Sequence, residues 1–404
     1  MSRSKFITLD EANLNGKRVL LRVDFNVPII DGKVADASRI EATIPTIKYL
    51  HDAGAAVAIL SHLGSPKVEK YDSDYSLAPV AHYLTEALGR DIPLVVEWLD
   101  DLNIESGGIV MLENIRFARG EKTNTDELAR KMATLCDVYV NEAFASARRE
   151  QSSVHGIAKY LPMAYTGPLF AREVDALSKA LEDVARPFVM VMGGRRRAET
   201  KFDLLAAQLE KADHILVAGV IGNTFLKASG KSIGKSSYLA DLVGRAEELI
   251  IKAEGLNKAI VVPKDVVCGV SNSNESAALV KSIDSVESDE LIMDIGVETI
   301  KEFSAHILAA GTAVWTGPMG VVELDKFQAG SDAIANALAA SKAYTIANGG
   351  DTLALIEKLK LRTGFSHMST GGGSSLEFLQ GGRLPAVIMM EESARVRYAV
   401  EREY

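Results

Sequence analysis

Thr370-Gly-Gly-Gly-Ser-Ser-Leu376 follows a short apolar-polar stretch, residues 365–369, and leads into an apolar run (Leu376, Phe378, Leu379) that starts a helix. A strand, then glycines, then a helix start aims backbone N–H groups at an anion. Glycine lets the backbone approach a phosphate with no Cβ in the way. Ser374 and Ser375 supply helix caps and further donors. Just upstream, Ala347-Asn-Gly-Gly-Asp-Thr352 repeats the junction and ends in an acid and a hydroxyl. Two such junctions in one stretch point to a phosphorylated ligand with a metal.

The first half of the chain shows the same alternation. Residues 18–27 begin as a buried strand and end with Asp24 and Asn26 on one side. Residues 39–51 carry helical periodicity from Arg39 onward (Ile40, Ile44, Ile47, Leu50), with Pro45 placed to bend the helix. Further strands read at 55–61, 94–96, 108–112 and 137–140, with helices at 77–88 and 125–133 between them. Four strand ends deliver Asp24/Asn26, His62, Asn114/Arg116 and Asn141/Arg149. Ligands of open α/β sheets bind beyond the carboxyl ends of the strands. One polar strand end is as readily a solvated turn; four together predict a basic rim. Its arginines suit a small polyanion, because the guanidinium fork matches phosphate and carboxylate.

Residues 168–184 read as a long connecting helix. A second βαβ series follows, with strands at 188–192, 214–217, 259–262, 291–294, 312–315, 343–347 and 367–369. Its strand ends are rich in glycine: Gly193-Gly194-Arg195-Arg196-Arg197, Gly219-Val-Ile-Gly222 and Thr316-Gly-Pro-Met-Gly320. A nucleotide site needs such ends, although a basic turn on its own is usually solvated. Residues 385–404 are amphipathic with a polar tail and are expected to pack back across the first domain.

Bulk properties agree. At 404 residues two domains are the default. The chain is 47% hydrophobic and 25% charged, and its net charge of −9 argues against nucleic-acid binding. Cys136 and Cys268 lack metal spacing and read as free thiols of a reducing compartment. Residues 1–10 are polar and do not read as a signal peptide, and no apolar run approaches the ~20 residues of a membrane span. A cytoplasmic protein is expected. There is no P-loop, no protein-kinase loop set and no dinucleotide fingerprint in the first βα turn. The last absence disfavours a dinucleotide oxidoreductase, which the fold class alone would allow.

Arg22-Val-Asp-Phe-Asn-Val-Pro28, Ser61-His-Leu-Gly64, Glu113-Asn-Ile-Arg-Phe117, Gly317-Pro-Met-Gly-Val321, Gly349-Gly-Asp-Thr352 and Ser369-Thr-Gly-Gly-Gly373 stand in one order along the chain. Together they resemble the phosphoglycerate kinase family from Lys17 to Pro385. The resemblance implies two Rossmann-like domains facing across a cleft: 1–168 for 3-phosphoglycerate, with 385–404 returning to it, and 169–384 for nucleotide. It implies transfer between 1,3-bisphosphoglycerate and ADP in glycolysis, Mg²⁺ as cofactor, ATP and ADP as substrates, a closing hinge and a monomer. By motif, Asp24, Asn26, Arg39, His62, Arg116 and Arg149 would bind the triose acid. Gly193, Gly194, Lys201, Gly219, Gly317, Pro318, Gly320, Glu323, Gly350, Asp351 and Thr352 would serve the nucleotide, with Asp351 on the metal. Gly371, Gly372 and Gly373 would aim N–H groups at the phosphoryl group in flight, with Arg149 acting beside them.

Departures cluster at the chemistry. Ser65 stands where the family has arginine, and Arg148 where it has histidine. Three arginines replace a small residue and a catalytic lysine, and matching Lys201 requires one extra residue. The lysine's role therefore falls to Arg196 or Arg197, with the choice open. Val220 replaces a glycine beside the base, Thr316 an asparagine, and Asn348 a glycine. These departures are the whole case for an alternative, a relative that binds both ligands without efficient transfer.

Overall fold

The computed structural model describes residues 5–403. The chain forms two compact units. One runs to Asp175 and takes back the chain from Arg383 onward; the other is Ala176–Gly382.

The first unit is built on six parallel strands: β1 (Arg18–Arg22), β2 (Ala56–Leu60), β3 (Leu94–Val95), β4 (Ile109–Leu112), β5 (Val138–Asn141) and β6 (Ala164–Thr166). Their order across the sheet is β3-β4-β2-β1-β5-β6. Strands β2, β4 and β5 are buried along their whole length, which explains their unbroken apolar runs. Helix Ser38–Asp52 lays Ile40, Ile47 and Leu50 into this core and tolerates Pro45 within it. The order reverses at β1, whose neighbours β2 and β5 lie on opposite sides. Ligands bind at such a reversal in α/β sheets.

The second unit repeats the plan with β7 (Phe188–Met192), β8 (His214–Val217), β9 (Ala259–Val261), β10 (Thr312–Thr316), β11 (Tyr344–Asn348) and β12 (His367–Ser369). The order is β9-β8-β7-β10-β11-β12, all parallel, reversing between β7 and β10. One expectation needs correction. The strand at 291–294 does not join this sheet. As Leu291–Ile295 it pairs antiparallel with Asp265–Gly269, which also pairs with Leu279–Ser282. This patch has its own small core of Leu226, Ile233, Val266, Cys268, Ile283 and Val286. Leu279 and Val280 are more than half exposed, so the edge strand carries no buried alternation to betray it.

The helix Pro168–Glu182 carries the chain from one unit to the other. The last helix, Pro385–Glu403, lies in the first unit, where the Ser393 hydroxyl accepts from the Ala164 N–H at 2.8 Å.

Candidate active site

In the first unit the chain after β1 carries Asp24 and Asn26 to the reversal point. Asp24 is tied on both oxygens. Arg39 donates to Oδ1 at 2.8 Å and the Ser146 hydroxyl to Oδ2 at 2.8 Å. Burial pushes the Asp24 carboxyl up. A charged His62 would lower it, Arg39, Arg22 and Ser146 do lower it, and the net position is well below the usual carboxylate range. Asn26 turns inward, and its Oδ1 accepts from the Gly64 N–H at 2.9 Å, clamping the turn after β2.

His62 is buried between two guanidinium groups, Arg22 at 3.3 Å from Nδ1 and Arg149 at 3.2 Å from Nε2. Burial and the charges of Arg22, Arg116 and Arg149 outweigh Asp24 and hold the imidazole well below its usual range. His62 is therefore neutral at pH 7. A neutral imidazole accepts on one nitrogen only and presents an N–H on the other.

Arg116 donates to the Gly64 carbonyl and, at 3.2 Å, to the Ser65 hydroxyl, while its Nε is buried without a partner. Burial, Arg149 and Arg22 bring its pKa down to about 10, so it stays charged. Several cations crowded into one partly buried region are costly unless an anion joins them. Arg22, absent from the sequence-based set, is fully buried at the centre of the patch. Its Nε donates to Ser153 Oγ at 2.8 Å, and Ser153 Oγ donates to the buried Glu121 at 2.7 Å. Asn114 and Asn141, expected on the rim, are committed to backbone groups instead, Asn114 to those of Leu63 and Asn141 to the Ala143 N–H.

In the second unit the loops after β7, β8 and β10 are pressed together. A Cβ on Gly193 would lie 2.1 Å from the Pro318 carbonyl oxygen, one on Gly317 2.2 Å from the Gly193 carbonyl oxygen, and one on Gly219 2.8 Å from the Gly194 nitrogen. These glycines let loop backbones touch one another. Gly350 and Gly372 differ: nothing lies within 4 Å of a Cβ there, so their backbone is open for a ligand. Gly372, at φ +54° and ψ −112°, starts the helix Gly373–Leu379 in a conformation only glycine adopts comfortably.

A cavity of about 510 Å³ opens beside these loops, within the size range of small-molecule sites. Gly194, Gly219, Pro318, Gly320, Glu323 and Asp351 line it, as do Arg195, Arg196 and Val220. Gly193, Lys201, Gly317 and Thr352 are buried and support its floor. Thr352 Oγ accepts from the Gly317 N–H at 2.9 Å, and Lys201 Nζ donates to the Gly193 carbonyl at 2.7 Å. Burial, with Arg197 adding and Asp351 opposing, brings the Lys201 ammonium down to about 8. Sequence reading missed Asn223, Ser236 and Asp294 on the cavity wall. Burial pushes the Asp294 carboxyl up to about 7.

The arginine turn is exposed. Arg197 adopts a left-handed conformation (φ +54°) just before the helix Ala198–Gln208. Arg196 reaches back over the cavity to Asp351, with Nη1 3.3 Å from Oδ1. Asp351 is half-buried and presents oxygen donors suited to Mg²⁺. Among the described residues there is no cluster of three or more His, Cys, Asp or Glu. A single carboxylate fits a metal held otherwise by phosphate oxygens and water, the usual Mg²⁺ arrangement at nucleotides.

A family model described as Phosphoglycerate kinase matches residues 9–382. A phosphoglycerate kinase of Francisella tularensis subsp. novicida (strain U112) is 45% identical over 389 residues, 96% of this chain and 99% of that one. The solved phosphoglycerate kinase from Coxiella burnetii superposes with a TM-score of 0.88 at 43% identity, covering 96% of this chain and 99% of that one. The one from Pyrococcus horikoshii OT3 gives a TM-score of 0.85 at 30% identity, with the same coverage.

Proposed function

The chain belongs to the phosphoglycerate kinase family, and from that premise we propose how its residues divide the work. The family reaction is reversible phosphoryl transfer between 1,3-bisphosphoglycerate and ADP, giving 3-phosphoglycerate and ATP.

In our reading the first unit holds the triose acid. Arg39, Arg116 and Arg149 take its anionic groups, His62 lends its one N–H, and Asp24 and Asn26 hold these groups in place. The observation that carries this reading is the gathering of Arg22, Arg116 and Arg149 around the buried His62, several cations in one partly buried region that an anion would neutralise. The second unit holds the nucleotide in the cavity lined by Gly194, Gly219, Pro318, Gly320 and Glu323. Asp351 would hold Mg²⁺ against the phosphates, where the ion supplies charge neutralisation. Gly371, Gly372 and Gly373 present N–H groups to the transferring phosphoryl group, and Arg196 takes the part of the family lysine. Its contact with Asp351 over the cavity favours it over Arg197.

No covalent relay is needed; alignment, charge neutralisation and exclusion of water suffice. With acid and nucleotide on separate units, domain closure is part of the proposal, because an open site exposes the phosphoryl donor to water. The resemblance carries monomer as the oligomeric state, checked by sedimentation. Two free, buried cysteines support a reducing, cytoplasmic setting, and the acidic net charge speaks against nucleic acid as partner. Among the described residues no helix is long and apolar enough to cross a membrane.

The test is a coupled assay with 3-phosphoglycerate, ATP and Mg²⁺, following 1,3-bisphosphoglycerate through its dehydrogenase. Turnover of ~1–10³ per second supports the division of labour. Absent turnover, with both ligands still binding, would favour the relative that binds without efficient transfer.

A further inference from the structure

Across the carboxyl end of the second sheet, Met192 pairs in register with Thr316, Thr316 with Asn348, and Asn348 with Ser369. Register partners on parallel strands about 4.8 Å apart send their side chains to the same face. Thr316, Asn348 and Ser369 thus form a polar row, each only 1% exposed. Burying polar groups is unfavourable unless each finds a partner. Ser369 does: its Oγ lies 2.6 Å from Ser375 Oγ and accepts from the Gly371 N–H at 3.3 Å. Asn348 is half used. Its Nδ2 donates to the Gly372 carbonyl at 3.4 Å, while its Oδ1 has no partner. Thr316 Oγ has none either.

The side-chain hydrogen bonds of Asn348 and Ser369 lead into the 371–373 loop or the first turn after it. The outer side of that loop is open, since nothing stands within 4 Å of a Cβ on Gly372. The Gly372 carbonyl accepts from the Leu376 N–H at 3.2 Å within its own helix, and a second tie comes from the sheet. Asn348 supplies it at the cost of a buried, unpaired oxygen.

We propose that Asn348 is a positioning residue for phosphoryl transfer. Through Nδ2 on the Gly372 carbonyl, and beside Ser369 on the Gly371 N–H, it fixes the loop whose N–H groups meet the phosphoryl group. The proposal rests on the reading of that loop given above, so its test must separate the two.

Three variants do so: Asn348→Ala, Asn348→Asp and Gly372→Ala, each measured for kcat, for KM of ADP and of 1,3-bisphosphoglycerate, and for thermal midpoint. Asn348→Ala should lower kcat roughly 10- to 100-fold. Both KM values should stay within about threefold of wild type, with the thermal midpoint unchanged or raised. Asn348→Asp keeps Oδ1 and the side-chain shape but loses the donor to Gly372, and should fall as far. Wild-type kcat in either Asn348 variant, with Gly372→Ala collapsed, overturns the positioning role and leaves the loop reading standing. Wild-type kcat in Gly372→Ala overturns the loop reading itself. A lowered midpoint that tracks the loss of kcat in Asn348→Ala makes the residue structural and also overturns the proposal.

Discussion

In the proposed division of labour the two units place positive charge before their ligands in opposite ways. The first does it with side chains, buried and interlocked before any ligand arrives: Arg22 on Ser153, Ser153 on Glu121, Arg22 and Arg149 on either side of His62. The second does it with backbone N–H groups at glycine turns, plus one exposed guanidinium that lies over Asp351. A buried side-chain patch is rigid but intolerant of change, because removing one member strands the others. A backbone site tolerates side-chain change as long as its glycines survive. Most of the departures that the resemblance implies follow this division, Thr316 and Asn348 excepted because they are buried in the second sheet. Arg195, Arg196, Arg197 and Val220 lie around the backbone site, whereas in the first unit Ser65 and Arg148 are exposed at the margin of the patch.

The contrast breaks first at Asp351. Asp351→Ala should lower Mg²⁺-dependent turnover by ~10²–10³-fold, as loss of a charge-stabilising group does. Near-normal turnover over a Mg²⁺ titration would remove the residue from the metal. Next in size is Arg22→Leu. It leaves Glu121 buried with less countercharge and should cost about 3 kcal/mol in denaturant unfolding, together with 3-phosphoglycerate binding. A stable variant that still binds the acid would show that the buried network is not what holds the patch. Arg149→Ala should raise KM for 3-phosphoglycerate by the ~1.5–3 kcal/mol of a bond to a charged group, leaving KM for ATP nearly alone. Equal losses for both ligands would mean that the assignment of ligands to units is wrong.

Smaller effects sharpen the comparison. Val220→Gly should tighten ADP by up to about tenfold if the side chain crowds the cavity it lines, and an unchanged Kd by calorimetry would clear it. Lys201 offers a pH test. Its folded pKa of about 8 lies below the unfolded value of roughly 10.4. Between those values the unfolded chain binds more protons, so stability rises with pH. Relative to Lys201→Met, the wild-type protein should gain stability as pH climbs from about 8 to 10.5, by up to ~1.4 kcal/mol per pH unit. Parallel pH profiles would contradict the buried ammonium.

Much of this was legible in the sequence because fully buried parallel strands write themselves as apolar runs, and their ends as abrupt polar changes. The residues misread are those whose surroundings come from elsewhere in the chain. Arg22 looks like one polar residue within a strand, and only the distant Ser153 and Glu121 reveal its burial. Asn114 and Asn141 look like ligand groups, yet each is consumed by nearby backbone. The choice of Arg196 over Arg197 rests on the Arg196–Asp351 contact, which spacing alone does not disclose. The row formed by Thr316, Asn348 and Ser369 depends on strand register, and sequence order conceals it.

The most direct test is a calorimetric titration of the protein with 3-phosphoglycerate alone, without nucleotide or metal. A patch assembled in advance should bind the acid at once, with KM and Kd for it nearly equal. No heat until Mg²⁺ and nucleotide are added would mean that the patch forms only in the assembled complex, and the contrast between a preformed and a ligand-completed half-site would fall.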